Sequence, residues 1–203
     1  MMKGKPMIER SREPLFDDAP RPDAPVSGEP PRRSVLEASA RLSRLVRLGT
    51  LGFGRPYWRG TIYSASSGAL RMKGLDGLSV LARTPWLGCV CLERGYLHPH
   101  SQPELAVLAS AVPADFRFIV RAPALVTSVF VHDRRGRAGG LNREFLNVAA
   151  AAAFVRSCTD GLGEKLGGVL FDFGPYPSSQ MKTLQGRQKA VEELGAFAEG
   201  LVR

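Results

Sequence analysis

Hydrophobic and polar positions alternate most regularly between Asp115 and Pro123, where Phe116, Phe118 and Val120 are interleaved with Arg117, Ile119 and Arg121. Aromatic and β-branched residues favour a pleated backbone, and Pro113 and Pro123 bracket the run. The pattern predicts a buried strand with a cation at its far end. Three more segments read as strands: Val46 to Leu51, Leu87 to Leu92 ending at Glu93 and Arg94, and Gly168 to Phe173 with Asp172 near its C-terminal end.

Between the strands the apolar period lengthens. Ser34 and Glu37 have the spacing of a capping box, and Val35, Ala38, Leu42 and Leu45 follow at intervals of three and four, which predicts an amphipathic helix. Leu75 to Ala82 and Pro103 to Val112 are further helical stretches, the second with Pro103 in its first turn and Glu104 suited to the helix dipole. Ala124 to Leu141 is expected to be a long polar loop. Asn142 is expected to cap a long alanine-rich helix running toward Cys158, and Lys182 to Leu201 to form the last helix, with Leu184, Val191, Leu194, Phe197 and Leu201 as its apolar positions.

Strands separated by helices imply parallel pairing with right-handed crossovers, so the fold class is α/β. In such folds ligands gather beyond the carboxyl ends of the strands. Those ends carry Gly52 with Tyr57, Trp58 and Arg59, then Glu93, Arg121 and Asp172. One reading is a site where Arg121 and Arg59 hold a small anionic ligand, Tyr57 or Trp58 stacks on it, and Glu93 or Asp172 acts as acid or base. The competing reading is plain ion pairing of Arg121 with Glu93 or Asp172. Gly49, Gly52, Gly54 and Gly60 do not have the spacing of a nucleotide-binding loop, and a packed loop plugging one end of the sheet fits them equally well.

Composition narrows the function classes. The 203 residues are 44% hydrophobic, enough for one sizeable core. No apolar run approaches the roughly 20 residues of a membrane span, so no membrane partner and a cytoplasmic location are expected. Residues 1–33 hold seven of the fifteen prolines with seven basic and six acidic side chains, which predicts a disordered tail ahead of a domain over 34–203. The formal charge of +9 therefore sits almost wholly on the folded part and favours anionic partners. The alternative to a small ligand is nucleic acid on a patch of Arg41, Arg44, Arg47, Arg55, Arg59, Arg134, Arg135 and Arg137, with Trp58 stacking on a base, although no nucleic-acid motif accompanies it. Cys89, Cys91 and Cys158 are expected to be reduced. His98 and His100 lack a third ligand, so neither metal nor cofactor is expected.

Four blocks taken in order resemble the YecE-like family, a group of TIM-barrel proteins named as a domain of unknown function. They are GTLGFGRPYWRG with Tyr63 after it, PADFRFIVRAP followed by Thr127, NREFLNVAAAAAF leading to GLGEKLG, and GVLFDFGPYP. The resemblance implies a (β/α) barrel, partial at about four strand–helix units, and adds Thr127 to the ligand-binding residues. It also marks departures. Family members usually have an acidic residue and an asparagine where this chain has Cys91 and Glu93, a lysine at Arg121, a histidine at Ser128 and a glutamine at Asp172. Arginine keeps the charge of lysine but stays protonated, so it implies no general-base or Schiff-base role. Compared with the family barrel, the chain is expected to leave two open parallel edges, covered by a homodimer or by the N-terminal helix and tail, unless it is a truncated product of low stability.

Overall fold

The computed structural model describes residues 20–42, 45–133 and 135–202. Its elements in chain order are α1 (Arg33–Ala40), β1 (Gly49–Leu51), α2 (Ala69–Met72), α3 (Leu75–Ala82), β2 (Cys89–Leu92), α4 (Gln102–Ser110), β3 (Arg117–Arg121), α5 (Ala124–Thr127), β4 (Phe130–His132), β5 (Ala138–Leu141), α6 (Val148–Leu162), β6 (Leu166–Leu170), α7 (Ser178–Met181) and α8 (Leu184–Val202). The chain is thus a mixed α/β protein.

β1, β2, β3 and β6 form one parallel sheet in that order, with Leu51 beside Cys91, Cys91 beside Ile119, and Arg121 beside Leu170. This is compatible with a partial α/β barrel. Paired residues of parallel strands face the same side, so the register sorts the sheet into two faces. Val90, Leu92, Phe118 and Val120 point into the main core with Leu78, Leu81, Leu105, Cys158 and Leu162 from the helices. Arg117, Ile119 and Arg121 take the opposite face and are only half-buried. On that face Leu51 is 63% and Leu170 44% exposed. The helices cover one side of the sheet, and the alternation along β3 records which.

The helix layer is fixed by close approach and by caps. α4 packs on α6, where a Cβ on Gly161 would stand 2.7 Å from Leu105 Cβ. A side chain there would hold the two helices apart. At the start of α4 the Glu104 carboxylate accepts from the backbone amide and hydroxyl of Ser101 at 2.7 and 2.8 Å. Those bonds stabilise the anion and lower the Glu104 pKa. At its end Lys165 donates to the carbonyls of Ala109 (2.6 Å) and Val112 (2.7 Å). A second core joins Val126, Ala151 and Phe197 with Phe171 and Phe173.

Several local expectations are corrected. Up to position 19 the expected disordered tail lies outside the described residues. From Pro22 to Glu29 the chain is instead held on the Ile62–Leu70 segment: Leu70 donates to Pro22 O (2.8 Å), Gly68 to Ala24 O (3.2 Å) and Glu29 to Ile62 O (2.9 Å). Backbone pairing of this kind needs no apolar periodicity, which is why composition misses it. α1 begins at Arg33, its N-cap is Arg32, and Ser34 and Glu37 form no capping box, because Glu37 pairs with Arg33 at 2.9 Å. No residue of α1 is buried, so its apolar stripe does not face the core.

The 124–141 stretch is not a plain loop. It contains the short helix α5 and the antiparallel hairpin β4–β5, whose turn is tied by Asp133 accepting from the amides of Arg135 and Arg137 and pairing with the Arg137 guanidinium at 2.7 Å. Asn147, not Asn142, caps α6, accepting from Ala150 at 3.0 Å. Asn142 instead donates to the carbonyls of Leu125 and Ser128, both at 2.8 Å, clamping the hairpin base to α5. β6 starts at Leu166, two residues earlier than expected, and ends at Leu170, leaving Asp172 beyond the strand.

The cysteines are unpaired. Burial pushes the Cys158 thiol up to about 11, leaving roughly one thiolate in a thousand at pH 8. In native protein Cys158 should therefore resist iodoacetamide at pH 8 while Cys89 is modified first, and Cys158 should label only in denaturant. Peptide mass mapping checks this, and early labelling of Cys158 would mean that the α6–sheet interface opens.

Candidate functional site

Gly52 and Glu93 directly follow β1 and β2, Arg121 ends β3 and Asp172 lies two residues past β6, and the side chains around these ends meet in pairs. At the β1 and β2 ends, Arg55 Nη2 meets Glu93 Oε2 at 3.1 Å. Gly52, with φ of 70°, turns the chain after β1, and its amide donates to Cys91 O at 2.8 Å. A left-handed residue is needed at this point, and glycine adopts it without strain. At the β3 and β6 ends, Arg121 Nη2 meets Asp172 Oδ2 at 2.8 Å.

Arg121 is the more constrained of the two arginines. Its guanidinium carbon lies 4.1 Å from the centroid of the Tyr96 ring, and its side chain is 27% exposed. Tyr96 reaches that position from the single turn Arg94–Tyr96 that follows β2, and its ring packs edge-on with that of His132, the centroids 6.2 Å apart. Arg121 Nε and His132 Nδ1 are both buried without a hydrogen-bond partner in the protein. A half-exposed ion pair contributes at most about 1 kcal/mol and a cation–π contact a similar amount, so these contacts orient the guanidinium more than they stabilise the fold. Cys91 lies beneath: burial and the Glu93 charge raise its pKa, while Arg121 opposes them.

Glu93, Arg121 and Asp172 are thus brought to adjacent strand ends, in two separate ion pairs rather than one triad. The other expected ligand-binding residues do not join them. Thr127 is fully buried and its hydroxyl donates to Pro123 O at 3.1 Å. Trp58 packs on the main core and stacks on Tyr63 at 6.5 Å. Arg59 Nε donates to Ser67 O at 2.8 Å, and Tyr57 is exposed with its ring against Trp58. Trp58 and Arg59 are thus engaged within the protein, while Tyr57 is exposed. Sequence reading missed Tyr96 and His132; the signal for Tyr96 is its place three residues after a strand-end acid, where one tight turn brings it back over the neighbouring strand.

On the β1–β2 side a cavity of ≈ 730 Å³ opens between the 52–56 loop and α4; Arg55 and Glu93 line it, and Arg121, Tyr96 and Asp172 do not. Among the described residues no three His, Cys, Asp or Glu side chains group as metal ligands, and no helix is long and apolar enough to cross a membrane.

The parallel four-stranded sheet with helices packed on it makes the chain a mixed α/β protein. A family model described as "Protein of unknown function DUF72", which is the YecE-like family, matches residues 47–201, and the chain belongs to that family. No curated protein and no solved structure matches it.

Proposed function

We propose that the chain is a cytoplasmic, partial TIM-barrel protein that binds a small anionic, phosphorylated ligand at the C-terminal ends of its strands, with Arg121 as the cation that recognises it. The observation that carries this reading is the guanidinium held between Asp172 and the Tyr96 ring with its Nε–H unused. A cation already oriented loses little freedom on binding, and an arginine fork matches a phosphate edge bidentately. Asp172 and Glu93 orient the two arginines, and no reaction is assigned, because a guanidinium that stays protonated supplies neither base nor nucleophile. The unpaired cysteines fit a reducing compartment.

Melting in the presence of a phosphate and nucleotide panel tests the reading. A ligand at a hundred times its Kd adds about 2.7 kcal/mol, a rise in Tm of roughly 5–10 °C for a chain of this size. Arg121→Ala should abolish that rise, and its persistence in the variant would remove Arg121 from the site. The second reading, a basic nucleic-acid module, draws on the +9 charge. Against it, Arg47, Arg55, Arg59 and Arg137 of the proposed patch are already engaged by Asp115 O, Glu93, Ser67 O and Asp133.

A further inference from the structure

The cavity beside α4 has a chemistry of its own. Its apolar lining comes from Phe53, Leu92, Val107 and Leu108, and its cations are Arg55, Lys73 and Arg94. The Arg55 charge is met by Glu93, and the other carboxylate in the wall, Glu104, is held by Ser101. Among the described residues Lys73 and Arg94 have no carboxylate partner. The lining therefore combines hydrocarbon surface with three cations, and the carboxylates of Glu93 and Glu104 leave it with a net positive charge. Val107, on α4, is 49% exposed and lines the same cavity.

The walls are formed without a ligand. Gly54 donates its amide to the buried Tyr63 hydroxyl at 3.1 Å, which fixes the 52–56 loop, and the Ser101–Glu104 bonds fix the first turn of α4. A pre-formed concave site of several hundred Å³, mostly apolar with a few polar groups, is the usual form of a small-molecule pocket.

We propose that this cavity is a second binding site, distinct from the Arg121 cluster, and that it takes a small amphipathic anion: an organic acid whose apolar body lies on Phe53, Leu92, Val107 and Leu108 and whose acidic group faces Lys73 and Arg94. Burial of apolar surface supplies the affinity, and the two cations select against uncharged molecules of the same shape.

The test uses the full chain with octanoate, 1-octanol and the fluorescent naphthalene sulfonate ANS, followed by fluorescence and by displacement. ANS should bind saturably at one site and be displaced by octanoate at least about tenfold more effectively than by 1-octanol. The K73A/R94A double variant should weaken ANS and octanoate by roughly tenfold or more, V107W should weaken both by crowding the apolar lining they rest on, and Arg121→Ala should leave both unchanged. Lys73, Arg94 and Val107 lie outside the main core, so unchanged far-UV dichroism and melting are expected for these variants. Equal displacement by octanoate and octanol, or binding indifferent to K73A/R94A, would overturn the anion assignment. Binding indifferent to V107W would place the probe elsewhere and overturn the site itself. Loss of octanoate binding in Arg121→Ala would merge this cavity with the strand-end site and overturn its independence.

Discussion

Phe118→Ala should destabilise the protein by about 3–5 kcal/mol, the largest effect expected of a single side-chain truncation here. Phe118 is fully buried in β3, between β2 on one hand and β6 on the other, and its ring meets Phe116 edge-on at 5.8 Å. It occupies the face of the sheet that the helices cover, so truncation leaves a cavity bounded by two neighbouring strands and the helix layer, none of which can close over it without breaking ladder bonds. Urea denaturation measures the loss. Leu170→Ala on the opposite face supplies the comparison: Leu170 is already 44% exposed, and its truncation should cost less than about 1 kcal/mol. Similar costs at the two positions would mean that the open face of the sheet is covered in solution, and the assignment of a single packed face would have to be given up. Because Arg121 ends the same strand, Phe118→Ala should also weaken anion binding in proportion to the population unfolded.

Gly54→Ala should cost more than about 2 kcal/mol, a large penalty for adding one methyl group. Two effects combine. Gly54 has φ of 70°, where a side chain carries a strain of about 1 kcal/mol, and a Cβ built there runs into the Met72 carbonyl, which is backbone and cannot move aside as a flexible side chain would. The Gly54 amide also donates to Tyr63, whose hydroxyl passes a bond at 3.2 Å to Gly77 O; burial raises the Tyr63 pKa, and the Gly54 bond opposes it. Shifting the glycine to relieve the clash would leave a buried amide and hydroxyl unpaired, at about 1–3 kcal/mol. Thermal melting of Gly54→Ala beside Gly60→Ala checks the account. Gly60 has a similar φ of 73° but nothing within reach of its Cβ, so it carries the strain without the clash. Equal losses in the two variants would show that Met72 yields and that the 52–56 loop is softer than its contacts imply.

Tyr63 follows the glycine-rich block in the family resemblance, and its place between Gly54 and Gly77 explains what that block does: it locks a strand-end loop against α3. Trp58 serves the same packing through its stack on Tyr63. The aromatic pair that the sequence offers as a stacking platform is therefore divided, with Trp58 in the core contact and Tyr57 left exposed.

Where local periodicity and burial coincide, the sequence alone determined the outcome. The alternation in Phe116 to Arg121 specified a strand, its buried face and a cation at its end, because a period of two admits one register against a core. The alternation of the four sheet strands with helices, their parallel pairing and the family followed from pattern and motif, while the β4–β5 hairpin did not. What only the tertiary structure decided depends on groups distant in sequence. The Pro22–Glu29 segment is ordered by carbonyls and amides around Ile62 to Leu70, which composition cannot register. Asn147 caps α6 because Asn142 is drawn to carbonyls on α5, and two asparagines five residues apart offer the same local chemistry until that partner is in place. The strand-end acids and arginines divide into Arg55 with Glu93 and Arg121 with Asp172 because neighbouring strands deliver neighbouring ends, and the strand order, not the spacing along the chain, sets which charges meet.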